Sequence, residues 1–448
     1  MDYQSFKLAV IAEAEACGIT EYELYYQSGT ETSVGVFRDE INEFSSSEGG
    51  GVCFRCIVNG KMGYASTQAL SESEAKAVVR RAADNAANLE TEEAVFLCEG
   101  GKQYRELTAK PYDLPSTEEL IETALAAQKK IYAADPMVID GSQTQAISER
   151  MEIAICNSKG LDLRYENNFS GLVVAAVVSD GKEMADSYEI KLGKLDTIDT
   201  DAMAKKAAAD AKQQLGGEPP VSGAMPVIFN PDAMSSMLGV FSSIFSSENT
   251  QKGLSQLGSK EGEVIAAECV TLVDDPFHPQ SPAQMNFDGE GCPTYTKNVI
   301  EKGVLNTLLY NMKTAAVAGK ETTGNASKAG YDSAVGIRPF TMYLQGGEVS
   351  EEELLKQAGT GVYVTDLGGL HAGANPISGD FSLQSSGFWI ESGEKKAYIK
   401  SFTVAGNFYD LLKNIRALAD NVTLPRAMGS TAFGAPSVLV DGLSVAGK

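Results

Sequence analysis

The chain has 448 residues, enough for two or three domains that each bury a core. Hydrophobic residues make up 43% and charged residues 22%, the balance of a globular protein in water. With 37 basic against 60 acidic side chains the net charge is −23, which disfavours phosphate backbones. The basic pairs Arg80-Arg81, Lys129-Lys130, Lys205-Lys206 and Lys395-Lys396 are scattered, so no nucleic-acid partner is expected.

Asp2, Lys7, Glu13 and Glu15 interrupt the apolar residues of the N-terminus, predicting an amphipathic helix rather than a signal-peptide core. The longest apolar run, Leu172–Val178, is too short to span a bilayer, so no membrane association is expected. Seven cysteines without an export signal imply free thiols and a cytoplasmic location. Cys53 and Cys56 form a CxxC in a strand-like stretch, Gly51–Val58, that ends at Asn59-Gly60. Residues three apart on a strand face opposite sides, so the two sulfurs diverge and the pair reads as ordinary buried thiols.

The first half carries one pattern twice. A shift of 121 residues (155 − 34, 180 − 59) places Val34 on Ile155, Val52–Phe54 on Val173–Ala175, and Asn59-Gly60-Lys61 on Asp180-Gly181-Lys182. Asn-Gly and Asp-Gly between strand-like runs signal hairpins, because both central residues take positive φ. Each copy then runs into an alanine-rich helix, Ser71–Leu89 and Thr200–Leu215, and a further helix is predicted over Ser116–Ala134. Ser71 with Glu74 and Ser116 with Glu119 have capping-box spacing, and Asp135-Pro136 ends the helix between the copies.

Gly216–Pro220 is the clearest breaker run and marks a domain boundary. Met225–Phe229 follows as a short buried strand, and Asn230-Pro231 supplies a cap and a first-turn proline for a helix running to Ser247. That helix carries Met234, Met237, Leu238, Phe241, Ile244 and Phe245 on one face and mostly serine on the other. Strands are predicted over Val264–Val273, Val299–Leu309, Gly336–Leu344, Gly361–Asp366, Gly387–Ile390 and Ala397–Val404, and helices over Val349–Ala358 and Asn407–Ala419. The fold class expected is α+β in two domains. Residues 1–217 form an N-terminal α/β domain with an internal repeat, and 221–448 a β-rich domain with a mixed or antiparallel sheet and a few helices.

Several separated blocks carry a resemblance: Gly303–Tyr310, Thr323–Ala326, Gly361–Gly369, His371–Ser382, Thr403–Phe408 and Pro436–Val440. In this order the chain is similar to the TldD/PmbA family, over most of its length. The resemblance implies a paired-subunit peptidase in which a TldD-like subunit supplies zinc from a helix bearing His-Glu-x-x-x-His, followed by Arg-Lys-Gly. Gln251-Lys252-Gly253 matches the end of that pattern, and counting back places Leu238, Gly239 and Ser243 at the histidine, glutamate and histidine. These three cannot bind Zn²⁺ as donors, and no histidine occurs between Met1 and Phe277. The departure agrees with the PmbA (TldE) branch, which lacks the motif. It implies no cofactor in this chain, zinc only in a TldD-like partner, and an unstructured peptide as substrate.

The chain has two histidines. His371, with Asn375, Ser378 and Asp380, either lines a loop that contacts peptide or partner, or orders a glycine-rich turn. His278 follows Asp274 and Asp275 and could form an acid–base pair, although flanking prolines favour a surface turn. No nucleophile elbow and no nucleotide cradle occur in the chain. Two rivals follow: a stand-alone homodimeric peptide-binding or scaffold protein, and an autonomous hydrolase built on one of the two histidines.

Overall fold

The computed structural model describes residues 1–91, 93–108, 111–428 and 431–448, with side chains for all of these except 425–428. The first half runs α1 (Tyr3–Ala16), β1 (Tyr22–Phe37), β2 (Glu40–Val58), β3 (Lys61–Thr67), α2 (Glu72–Asn88), α3 (Thr117–Ala134), β4 (Gln143–Asn157), β5 (Asp162–Ser179), β6 (Met184–Leu192) and α4 (Thr200–Gln213). The strands form one six-stranded sheet in the order β3-β2-β1-β4-β5-β6. Each half of it is a helix, a three-stranded meander and a helix, with the same strand order in both copies, and the copies meet where β1 pairs antiparallel with β4.

Local chemistry explains these boundaries. Asn59 and Gly60 take φ of 52° and 76°, as a tight hairpin demands. In the second copy Asp180 Oδ1 accepts from the amides of Lys182 and Glu183, which opens a longer loop between Ser179 and Met184. Ser116 and Glu119 complete a reciprocal capping box at the start of α3. Alanines form the buried faces of α2 and α4 and let both helices lie close on the sheet. A Cβ at Gly63 would meet the Ala82 carbonyl oxygen at 2.0 Å, so glycine is required where α2 crosses β3.

Cys56 faces the core beneath α1 and α2, whereas Cys53 points to the opposite face of the sheet. That second face meets the rest of the molecule: Tyr25, Cys53, Ile155 and Tyr165 pack with Met285, Phe287, Cys292 and Phe340. Among the described residues no helix is long and apolar enough to cross a membrane.

The second half continues with β7 (Gly223–Phe229), α5 (Pro231–Phe241), α6 (Ser247–Gln251), β8 (Leu272–Asp274), β9 (Lys297–Glu301), β10 (Val304–Leu305) and α7 (Met312–Ala318). Next come β11 (Ala326–Ser327), β12 (Gly336–Ile337), β13 (Thr341–Leu344), α8 (Glu351–Ala358), β14 (Gly361–Gly368) and α9 (Leu370–Gly373). It closes with β15 (Asp380–Glu391), β16 (Glu394–Asn407), α10 (Phe408–Lys413), β17 (Ile415–Leu418), β18 (Thr423–Met428), β19 (Thr431–Ala435) and β20 (Val438–Ala446). Two six-stranded sheets result, β10-β9-β8-β13-β19-β18 and β16-β15-β14-β7-β20-β17, beside the small β11-β12 pair, and in the second large sheet β16 also pairs with β20 so that the sheet curls back on itself. Helix α5 lies between them, against β7 and β14 on one side and β13 and β19 on the other.

Four expectations are corrected. The stretch Val264–Val273 is strand only from Leu272, because the amides of Ile265 and Ala266 bond to Gly303 and that of Ala267 to Leu412, two separate elements. Val299–Leu309 folds over at Lys302-Gly303, which take φ of 47° and 82°. Pro339 interrupts Gly336–Leu344 because it lacks a ladder donor. The helix expected over Asn407–Ala419 stops at Lys413, and Ile415–Leu418 instead pair with β20.

Candidate functional site

Asn230 ends β7 and caps α5, its side chain accepting from the Ala233 amide at 2.8 Å, with Pro231 at the first helical position. The helix does not reach Ser247. It stops at Phe241, a single 3₁₀ turn follows over Ser242–Phe245, and α6 restarts with Ser246 as its cap. Serines drive the change by bonding to nearby backbone, as Ser242 Oγ does to the Gly239 carbonyl. The serine face is not a solvent face, since Ser235, Ser236, Ser246 and Ser247 are buried.

Leu238 lies in the last turn of α5 with 1% exposure, inside the large core of the second half. Gly239 is half-buried, and a Cβ there would meet the Phe433 ring at an ordinary 3.6 Å, so clearance does not dictate glycine. Ser243 is exposed on the 3₁₀ turn. The three positions therefore diverge between core and solvent, and they hold a hydrocarbon, no side chain and a neutral hydroxyl. This set does not fit a zinc ion. Among the described residues no three His, Cys, Asp or Glu side chains gather at a spacing that could hold a metal. Further on, Gln251 donates to the Thr314 carbonyl at 2.8 Å and Lys252 pairs with Glu248 at 2.6 Å on the surface.

The end of α5 is fastened to the His371–Ser382 block. Phe241 stacks on Phe408, the first residue of α10, with centroids 4.4 Å apart, and meets Phe381 edge-on at 6.3 Å. Ser255 Oγ donates to the Ile244 carbonyl at 2.7 Å, and its neighbour Gln256 donates through Nε2 to the Ser378 carbonyl at 2.9 Å.

The structure brings Asn375, Ser378 and Asp380 into one turn. Asn375 Oδ1 accepts from the amides of Ile377 and Ser378, Ser378 Oγ accepts from the Asp380 amide, and Asn407 Nδ2 donates to Asp380 Oδ1 at 2.9 Å. The hydrogen bonds from Asn407 and Ser378 hold the Asp380 carboxyl below the usual range. His371 sits apart on the four-residue α9, exposed, and its ring makes no hydrogen bond among the described residues. The side chains of Asn375 and Ser378 are thus spent on their own backbone, while the turn as a whole remains on the surface.

His278 does not pair with the acidic residues before it. Asp274 is fully buried and meets Lys297 at 3.2 Å, Asn325 at 2.7 Å and the Phe340 amide at 2.8 Å. Asp275 caps the turn through the Phe277 amide. The His278 ring lies edge-on to Tyr343, accepts at Nδ1 from the Gln280 amide at 3.2 Å, and burial lowers its pKa. It lines a concavity of about 460 Å³ with Tyr343, Gln345, Val422 and Leu424.

Sequence reasoning missed a buried charged cluster where the two halves meet. Arg55 and Glu23 pair at 2.8 Å with side-chain exposures of 4% and 2%. Across the junction, Asp288 accepts from the amides of Glu290, Cys292 and Ala326, and Glu290 accepts from the Met312 amide. Burial and the neighbouring Glu290 carboxyl push Asp288 up to about 8. No spacing in the sequence could reveal this group, because Glu23 and Arg55 lie far along the chain from Asp288 and Glu290.

Fold and site together define a class: a multidomain α+β protein whose central C-terminal helix is gripped between two sheets and fastened to a glycine-rich surface turn. Models of the PmbA/TldA metallopeptidase match as domain 1 over residues 22–86, the central domain over 110–215 and the C-terminal domain over 222–447. The chain belongs to this PmbA/TldD family. A Haemophilus influenzae "Metalloprotease PmbA homolog" is 26% identical over 433 residues, covering 94% of this chain and 91% of its own length. A Thermotoga maritima structure described as a candidate modulator of a DNA gyrase superposes with a TM-score of 0.90 at 31% identity, covering 99% of this chain and 100% of that one. TldE from Thermococcus kodakarensis gives 0.86 at 25%, covering 98% and 99%.

Proposed function

We propose that this chain is a PmbA/TldE-like subunit of a two-component metallopeptidase, which holds extended peptide while a TldD-like partner supplies zinc and the activated water. One observation carries the reading. The helix that would begin the His-Glu-x-x-x-His pattern is largely buried and ends at Phe241, and it offers Leu238 and Gly239, with Ser243 beyond its end. A site without donors cannot lower the pKa of a water or polarise a carbonyl. The peptide-holding part draws support from β2. Its neighbour β3 pairs only with Val52–Val58, so among the described residues Glu40–Gly50 presents a strand edge to which an extended backbone could add. The surface turn at Asn375, Ser378 and Asp380, with exposed His371 nearby on α9, is the second surface that peptide or partner would meet.

The test mixes the purified chain with a TldD-like protein from the same genome and follows co-elution, zinc content and cleavage of an unstructured peptide. Co-elution with cleavage that requires both components supports the reading. A stable homodimer that binds peptide and ignores the TldD-like protein supports the stand-alone binding protein instead. Cleavage by the solitary chain, with stoichiometric metal on its own residues, overturns both.

A further inference from the structure

Cys98 and Cys292 lie on opposite sides of the junction between the two halves, with their sulfurs 3.2 Å apart and exposures of 1% and 0%. Among the described residues no other two sulfurs share a hydrogen bond. Both are held by backbone rather than by chance packing. The Cys98 carbonyl accepts from Asn157 Nδ2 at 2.7 Å, and Cys98 Sγ donates to the Gly291 carbonyl at 3.4 Å. The Cys292 amide donates to Asp288 Oδ1 at 2.9 Å, and Tyr104 adds a bond from its hydroxyl to the same Gly291 carbonyl at 2.8 Å.

The surroundings make the two sulfurs unlike. The Cys292 thiol, donating to it, pulls the Cys98 thiol below its usual range, with Lys102 assisting. That same bond, then burial, hold Cys292 protonated. The arrangement is a nucleophilic sulfur with a resolving thiol in contact. We propose that Cys98 and Cys292 form a reversible oxidation site, in which hydrogen peroxide closes a disulfide that clamps the segment between α2 and α3 to the C-terminal half.

The chemistry balances. Cys98 sulfur attacks one peroxide oxygen, the S–O bond forms as the O–O bond breaks, and the departing hydroxide takes a proton to become water. Cys292 then loses its proton and attacks Cys98, the S–S bond forms as the S–O bond breaks, and a second water leaves. Two thiols lose two electrons, and peroxide is reduced to two waters. Both sulfurs are buried, so the reaction requires the segment carrying Cys98, which has no helix or strand among its described residues, to open locally.

The experiment treats the reduced full-length protein with hydrogen peroxide, alkylates the remaining thiols and maps the peptides by mass spectrometry without reduction. The expected product joins the Cys98 and Cys292 peptides, two hydrogens lighter than their sum, and dithiothreitol reverses it. The melting temperature should rise by several degrees on oxidation, and Cys98→Ser or Cys292→Ser should abolish both effects. The exposed Cys17 and Cys269 serve as internal controls. If they are oxidised while Cys98 and Cys292 remain free, or if those two pair with other cysteines, the proposal fails. The wild-type map decides the matter even if a serine variant folds poorly.

Discussion

Phe241 and Phe408 lie face to face, their ring planes 7° apart, and this stack joins the end of the central helix to the start of α10. Phe408 is fully buried, and its amide donates to the Gly379 carbonyl at 2.7 Å. One residue, through its ring and its amide, therefore couples the end of α5 to the turn at Asn375–Asp380. Coupling of this kind depends on packing and a backbone hydrogen bond and needs no metal.

Phe408→Ala should cost about 3–5 kcal/mol, the usual range for emptying a buried phenylalanine site. Urea denaturation measures the loss, and hydrogen exchange should quicken over 370–382 before other surface turns. Uniform acceleration across the chain would mean that the stack serves the whole core and not this turn.

Placing metal donors at the three aligned positions should not create a metal site. In a triple variant with Leu238→His, Gly239→Glu and Ser243→His, position 238 points into core while 243 faces solvent beyond the end of the helix. An imidazole at 238 without a partner costs about 1–3 kcal/mol. The expected variant is destabilised and carries no stoichiometric zinc. Metal analysis after gel filtration checks it, and one tightly held zinc per chain would show that this reading of the local geometry is wrong.

Asp288 makes stability depend on pH. Its carboxyl ionises near 3.8 when unfolded and at about 8 in the folded chain, so between these values the native state keeps a proton that the unfolded chain has released. Its stabilising contribution is full below pH ~4 and falls as pH rises towards 8, by at most about 1.4 kcal/mol per unit. Burial also raises Glu290, with the same sign. Glu290→Gln keeps an acceptor for the Met312 amide, removes one carboxyl and lowers the other. Urea midpoints at pH 5, 6.5 and 8 should therefore fall less steeply in the variant than in the parent. Parallel curves would remove Asp288 and Glu290 as the cause.

What the sequence made legible follows from what is local. Capping at Ser116 and Asn230 and the hairpin at Asn59-Gly60 each depend on residues a few positions apart, the doubled pattern repeats such local signals 121 residues on (180 − 59), and the structure contains them. The divergence of Cys53 and Cys56 follows from strand alternation alone. The break after Phe241 was not legible, because the apolar spacing runs on to Phe245 while serine hydroxyls compete for the backbone. The pairing of Cys98 with Cys292 and the burial of Asp288 depend on how the two halves dock, which no local pattern encodes. The candidate turn was visible as a block of residues, but only coordinates show that Asn375 and Ser378 bond to their own backbone.

Gly379 tests whether that turn needs its shape. It takes φ of 86°, and a Cβ there would lie 2.5 Å from the Tyr409 ring and 2.9 Å from Asn407 Oδ1. Tyr409 cannot retreat freely, because its hydroxyl accepts from the Gln256 amide and Gln256 in turn reaches the Ser378 carbonyl. Gly379→Ala should therefore cost about 1–3 kcal/mol through overcrowding, in addition to strain at positive φ. Asn407→Ala removes the Asp380 partner, the bond to the Ser378 carbonyl and the cap of α10 without crowding the ring, and should cost about 1–3 kcal/mol. If the turn contacts peptide or a TldD-like partner, Gly379→Ala should weaken that association at temperatures where the core remains folded. Unfolding midpoints and co-elution measured on the same preparations separate the two effects. Loss of stability with association unchanged would assign the turn to structure alone.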